Sequence, residues 1–268
     1  MSDFDPKAFW ENRLKRDFNL QGVGYRSLGL GYNQWLYRVR ARVFRRMARR
    51  IRAELPNGRV LDIGSGTGFY IREWIRLGAR SVVGSDITDV ACDGLRDRFP
   101  DVRIERLDIG APLESFSPGE FDILSAFDVL FHILDDERYK RALDNIASLL
   151  RPGGYFFYSD NFLRAGEHRA PHQVSRFRPQ IEQALGASGF RIVERRPMFV
   201  LMNAPLDTQS ALLKWFWARI EEHVQKSEKN SKRTGAVLYP TELLLTKLLH
   251  EGPSTEVVLC KKGSSGSA

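Results

Sequence analysis

The sequence predicts an α/β chain in which a mostly parallel sheet is covered on both faces by helices. Three observations lead there. Short apolar runs recur near residues 59–63, 80–85, 102–107, 121–127 and 154–159. Helical periodicity falls between them, near 68–77, 88–98 and 136–150. The first apolar run ends in Gly64-Ser65-Gly66-Thr67-Gly68, whose glycines open the backbone to a ligand. Strand and helix in alternation imply parallel strands with right-handed crossovers.

The elements divide into five stretches. Residues 1–54 form a cap, with a short helix from Pro6 to Asp17 and a mobile loop holding Gly22, Gly24, Gly29 and Gly31. Asn33 is placed to cap the arginine-rich helix that follows, and Pro56-Asn57-Gly58 stops it. Residues 55–204 are the core, ending in a strand from Phe190 to Leu201. Residues 205–254 are a helical insertion, with helices near 208–226 and 236–250 joined by the polar run Lys226 to Arg233. Residues 255–262 supply a last strand, and 263–268 a flexible tail.

Composition narrows the class. A hydrophobic share of 43% in 268 residues supports one sizeable core. No signal peptide and no run of roughly 20 apolar residues is found. Cys92 and Cys260 have no metal-type spacing and read as reduced, buried thiols, so a cytoplasmic protein is expected. The net charge of +8 admits an anionic partner, RNA or a membrane surface. Its densest run, the arginines from Arg38 to Arg52, reads as the solvated face of a helix that turns Leu36, Val39, Val43, Met47 and Ile51 inward.

The ligand chemistry lies at the strand ends. A dinucleotide loop would carry glycine or alanine where Phe69 stands. Asp62, just before the loop, repels a pyrophosphate and attracts a cationic amino-acid group. Asp86 ends the second strand, where a carboxylate accepts the hydroxyls of a ribose. Asp108 ends the third and suits an adenine amino group, with Ile87 and Ile109 against the ring. Phe127 ends the fourth strand, and Leu150-Arg151-Pro152-Gly153-Gly154 turns into the fifth. Alone, each acid also reads as a cap or a turn residue.

Taken together, these residues resemble the class I S-adenosylmethionine-dependent methyltransferases. Asp62 to Gly68 looks like their first motif, Asp86 and Asp108 like their ribose and adenine acids, and Leu150 to Gly154 like their turn before the fifth strand. The resemblance covers about 55–200 and the final strand. It implies a Rossmann-like three-layer sandwich. Its seven-stranded sheet would be mostly parallel, with an antiparallel last strand beside the fifth. It also implies S-adenosylmethionine as cofactor, held by Asp62, Gly64, Ser65, Gly66, Gly68, Asp86, Ile87, Asp108, Ile109 and Phe127.

The acceptor is less legible. DNA is not expected. Ser125-Ala126-Phe127-Asp128 stands where amino-methylating DNA enzymes keep Asp/Asn-Pro-Pro-Tyr/Phe, and neither cysteine suits cytosine C5 chemistry. The expected reaction is O-methylation of a small molecule. RNA methylation through the arginine helix and a catalytically silent binding module are the alternatives. His132, after the fourth strand, suits a general base or a packed structural histidine. Asp160, His168 and His172 are expected to border the acceptor. Tyr25, Tyr32 and Trp35 read either as a lid over the cofactor or as packing for the cap. Asp128 with Asp160-Asn161 resembles metal-dependent catechol-type enzymes only loosely, and no metal is expected. The apolar late helices would bury against the core, pair with a second copy or rest on a membrane.

Overall fold

A computed structural model describes residues 4–264, so residues 265–268 of the expected tail lie outside the described residues. The apolar runs form β1 (Arg59–Ile63), β2 (Ser81–Asp86), β3 (Arg103–Arg106), β4 (Phe121–Ala126) and β5 (Leu150–Asp160). Two later strands, β8 (Phe190–Pro197) and β9 (Glu256–Lys262), complete a seven-stranded sheet in the order β3-β2-β1-β4-β5-β9-β8. Strands β1 to β5 pair in parallel, and β9 runs antiparallel between β5 and β8. The expected sheet, with its reversed last strand beside the fifth, is the observed one.

Side-chain alternation makes the three layers. Val60 faces one apolar cluster and its neighbours Leu61 and Ile63 the other. Phe157 likewise opposes Phe156 and Tyr158. On the second face lie α5 (Asp136–Leu149) and α6 (Arg178–Ala187). On the first lie α3 (Phe69–Arg76), α4 (Asp89–Arg98) and the arginine-rich helix α2 (Gly29–Ala48), which buries Leu36, Val39, Val43, Phe44 and Met47 at helical spacing. Cys92 and Cys260 are free and buried. Among the described residues no helix is long and apolar enough to cross a membrane.

The additions depart from the sequence reading at informative places. The short helix α1 (Pro6–Arg16) forms as expected, capped by Asp5. Asn33 does not cap α2. The helix begins at Gly29, and Asn33 is buried inside it, donating to Tyr25 O and Gly29 O at 2.7 Å. The cap comes from the far end of the chain. The Glu228 carboxylate accepts from Leu30 N and Gly31 N at 2.7 and 2.9 Å, and Ser231 Oγ accepts from Tyr32 N at 2.7 Å. An anionic side chain on open N–H groups is favourable there.

Glu228 opens α8 (Glu228–Leu248), so the expected polar connector is largely the first turns of a helix. With α7 (Ala211–Gln225), α8 forms the insertion. Gly31 and Gly235 allow α2 and α8 to touch. A Cβ on Gly31 would stand 2.9 Å from Lys232 Cβ, and one on Gly235 2.5 Å from Trp35 Cδ1. Gly29 and Gly31 therefore serve a helix junction instead of the mobile loop expected for them.

The strand expected to run to Leu201 leaves the sheet at Pro197. The buried segment that follows is still satisfied. Met198 N donates to Thr255 O, while Val200 N and Leu201 N donate to the buried Glu242 carboxylate of α8 at 2.6 and 2.8 Å. The loop after β5 also holds a small hairpin, β6 (His168–Ala170) with β7 (Gln173–Ser175), which the sequence did not announce.

Glu228→Ala leaves the first turn of α2 without its carboxylate cap. It is expected to lower the unfolding free energy by about 1–2 kcal/mol, measured by urea denaturation with an unchanged m-value.

Candidate active site

The carboxyl ends of β1 to β5 open into a cavity of about 1430 Å³. At its base the loop after β1 needs its glycines. Gly64 and Gly66 have φ of 66° and 55°, the left-handed region that side chains avoid. A Cβ on Gly66 would also stand 2.9 Å from Val23 of the cap. Gly64, Ser65 and Gly66 line the cavity. Gly68 is not on the wall. With φ of 81° it caps α3 and makes the turn possible.

Asp62 also lies behind the wall. Its Oδ1 accepts from Ser125 Oγ at 2.5 Å, and Ser125 Oγ accepts from Trp74 Nε1 at 2.9 Å. Burial pushes its carboxyl up to about 7, against the hydrogen bonds from Ser125 and Ser65. Asp62 thus anchors the loop from below, and its field acts on a ligand through Ile63 and Gly64.

The expected adenosine residues converge on one wall. Asp86, Ile87, Asp108, Ile109 and Phe127 all line the cavity. Asp86 Oδ2 accepts from Gly66 N at 3.0 Å, and Oδ1 accepts from Thr88 N and Oγ at 3.0 and 2.8 Å. Burial raises its pKa in spite of those bonds. Asp108 is paired with Arg138 at 2.6 Å, a partner from the first turn of α5 that the sequence did not indicate. Phe127 stacks on Tyr70, with ring centroids 3.7 Å apart.

Beyond Phe127 the chain makes its one left-handed non-glycine residue among those described, Asp128, with φ of 58°. Aspartate tolerates that conformation better than most residues. Its neighbours hold it. Asp128 N donates to Ser159 Oγ at 2.8 Å, Ser159 Oγ donates to Asp128 Oδ1 at 2.7 Å, and Arg40 Nη2 pairs with Oδ2 at 2.7 Å. Arg40 is only 5% exposed. The expectation that the arginines of α2 form a solvated face fails here, because a fixed carboxylate at the sheet edge takes one of them inside. The Arg40 Nε and Nη1 atoms and the Tyr70 hydroxyl are buried without partners beside the cavity. Arg45 is engaged too, with Glu73 at 2.5 Å.

His132, expected near the acceptor, lines the cavity. Its Nδ1 lies 2.7 Å from the carbonyl oxygen of His172. A carbonyl only accepts, so Nδ1 carries the proton and Nε2 is left as the basic nitrogen. Burial pushes the imidazole pKa down to about 4, with the His172 carbonyl and Asp128 opposing. His172 stacks with Phe9, and Trp10 meets His132 edge-on at 5.0 Å. The helix α1 therefore closes over the site through aromatic rings, a role the sequence reading did not give to Phe9, Trp10 or Arg13. Their signal was slight: two aromatics and a cation in a helix that buries only Leu14.

The other expected acceptor residues divide. Tyr25 lines the cavity. Tyr32 does not; it is fully buried and donates to Met202 O at 3.1 Å. Trp35 packs against Tyr239 of α8 at 5.1 Å, with Arg38 over its outer face. Both belong to the α2–α8 junction and not to a lid. Asp160 is buried, with Oδ1 accepting from Asn161 N at 2.7 Å, and Asn161 takes its place on the wall. His168 sits in the outer strand of the hairpin opposite Ser175, exposed and away from the cavity.

The geometry fits S-adenosylmethionine. The glycine cradle, a buried acid at the end of β2 and an acid with two isoleucines at the adenine position share one cavity. Residues 60–154 match the family described as Methyltransferase domain. Over that segment the chain carries a methyltransferase domain, and its seven-stranded sheet is that of the class I S-adenosylmethionine-dependent methyltransferases. It is similar to the ubiquinone biosynthesis O-methyltransferase of Albidiferax ferrireducens, 32% identical over 105 residues, 37% of this chain and 40% of that protein. It is also similar to the ribosomal protein L11 methyltransferase of Symbiobacterium thermophilum, 34% identical over 105 residues, 39% of this chain and 32% of that protein. The chain thus spans about two fifths or less of the length of these two relatives. In fold it resembles a TehB-like S-adenosylmethionine-dependent methyltransferase from Corynebacterium glutamicum, with a TM-score of 0.52 and 17% identity over 95% of this chain and 98% of that one.

His132 has a pKa below its ordinary value of 6.5, so protons bind the unfolded chain first. Stability is full above about pH 6.5 and declines as pH falls toward about 4, with a slope of at most ~1.4 kcal/mol per pH unit. His132→Gln is expected to remove that share of the acid slope, as read by urea unfolding at a series of pH values.

Proposed function

We propose that this domain transfers a methyl group from S-adenosylmethionine to a hydroxyl of a small molecule held between His132, His172 and the cap. The observation that carries this reading is His132, with Nδ1 2.7 Å from His172 O, lining the same cavity as the cofactor residues. S-adenosylmethionine supplies an already activated methyl group, so the protein's task is alignment and proton removal. Asp86 accepts the ribose hydroxyls, Ile87 and Ile109 flank the adenine, and Asp108, positioned by Arg138, faces its amino group. His132 Nε2 takes the acceptor's hydroxyl proton while α1 and the β6–β7 hairpin exclude water.

Several observations support a small acceptor over RNA. Trp10 and Tyr25 line the cavity, and three arginines of the basic run, Arg40, Arg45 and Arg50, are engaged with Asp128, Glu73 and Glu194. The relative from Albidiferax ferrireducens is named for O-methylation in ubiquinone biosynthesis, which fits a hydroxyl acceptor. We place Tyr25, Asn161 and His172 at the acceptor and leave Tyr32, Trp35, Asp160 and His168 outside it.

Asp86→Asn is expected to weaken S-adenosylmethionine binding at least about ten-fold, measured by calorimetry, and to weaken adenosine equally, since the lost contact is to ribose. Binding of wild-type strength in that variant contradicts the assignment. With a methyl-labelled cofactor and an extract of the source cells, label is expected in a low-molecular-weight product. His132→Ala is expected to slow that transfer by about 10²-fold. Label recovered in RNA instead overturns the small-acceptor reading.

A further inference from the structure

A second concavity lies where α2 and α8 end, beyond Arg40 on the basic helix. Its volume is about 370 Å³, and Arg46, Arg49, Arg50, Arg196 and Lys247 surround it with Glu194 as their single carboxylate. Three separate elements supply these groups: the end of α2 with the turn that follows, strand β8, and the last turn of α8. One helix presenting its outer face would not produce that convergence.

The charges are not balanced. Glu194 spends both oxygens, one on Arg50 at 2.8 Å and one on Arg196 at 2.9 Å. Those bonds hold its carboxyl below the ordinary range even though burial pushes the other way. Among the described residues Arg46, Arg49 and Lys247 form no ion pair. Arg46 donates only to Thr246 Oγ, at 3.3 Å, and burial together with the charge of Arg196 lowers its pKa. The most buried arginines of this chain, Arg40, Arg176 and Arg195, each meet a carboxylate, and the partly buried Arg13 is held by main-chain carbonyls. Here like charges are held together around an open space, an arrangement that an anion relieves.

We propose that this concavity binds a phosphate or diphosphate group, carried by a soluble compound or by a lipid headgroup. A phosphate carries about −1.5 to −2 charges at neutral pH and takes guanidinium forks on its oxygens. Arg50 and Arg196, fixed by Glu194, offer their remaining N–H groups, and Arg46, Arg49 and Lys247 supply the uncompensated charge. The site is separate from the methyl-transfer cavity. Arg46, its nearest member to Arg40 along the chain, lies six residues further along α2, about 9 Å by the helical rise, and of this group none lines the methyl-transfer cavity.

The test is calorimetry with inorganic diphosphate at constant ionic strength, on the full chain. Wild type is expected to bind saturably, and Arg49→Gln and Lys247→Gln each to weaken binding about ten-fold. Lys140→Gln removes the same charge from α5 on the opposite layer and is expected to change nothing. S-adenosylmethionine affinity is read in parallel and is expected to be equal in all variants, which shows that they are folded and keeps this site's fate apart from the catalytic reading. Sedimentation with phosphatidylcholine vesicles containing phosphatidic acid separates the sources. Co-sedimentation abolished by Arg49→Gln assigns a headgroup, and diphosphate binding without co-sedimentation assigns a soluble ligand. Failure to saturate, or equal weakening by Lys140→Gln, overturns the proposal.

Discussion

The carboxylate of Glu228 on the open N-terminus of α2 is the constraint on which the cavity depends. A helix leaves its first N–H groups unsatisfied, and α2 begins with glycines and leucines that offer no side-chain cap of their own. Glu228 and Ser231 supply the acceptors from 197 to 199 residues away. That junction fixes where α2 lies over the sheet. Its position then brings Arg40 to the end of β4, where Asp128 receives it. The insertion therefore packs on the helix that brings Arg40 to the cavity wall, although it lies outside the matched methyltransferase segment.

The Arg40–Asp128 pair shows why a buried charge is tolerated here. Removing a guanidinium from water is costly, and one carboxylate offsets the cost only with good geometry. Asp128 has it, because a left-handed backbone and Ser159 hold its side chain in place. The pair leaves two Arg40 nitrogens and the Tyr70 hydroxyl unpartnered. Such buried polar atoms are expensive in an idle structure and expected beside a ligand. The same economy explains Glu242, which answers the N–H groups of the segment that leaves β8.

The acceptor end follows a different logic. Neutral aromatic rings from α1 and two histidines meet there, and the fixed tautomer of His132 comes from a main-chain carbonyl and not from a carboxylate. An imidazole kept neutral by burial stays available as a base over the whole physiological range. On the proposed reading its low pKa makes it a weak base, so alignment of the acceptor with the methyl group would supply most of the acceleration.

The sequence by itself determined the alternation of strands and helices, the glycine loop after β1 and the acids near the ends of β2 and β3, and its resemblance to the methyltransferases carried the seven strands with β9 antiparallel beside β5. Those features rest on local rules: side chains that alternate between two apolar clusters along β1 and β5, glycines at 64 and 66 where φ is positive, and acids at strand ends, where parallel topology gathers ligands. Tertiary structure alone decided what the additions do. Asn33 looked like a cap, Tyr32 and Trp35 like a lid, and Gly29 and Gly31 like a mobile loop, because each pattern is correct for a segment considered alone. Glu228, Ser231, Gly235 and Tyr239, about 200 residues distant, convert four of the five into a helix junction, while Asn33 ties α2 to the turn before it through Tyr25 and Gly29. In the same way no local pattern marks Arg40 as the one buried arginine of its run, since its partner Asp128 is 88 positions away and depends on an unusual backbone angle. The donor side is legible because each of its parts is a short motif at a strand end that the parallel sheet gathers, and the surroundings of His132 are not, because they are made of contacts between distant segments.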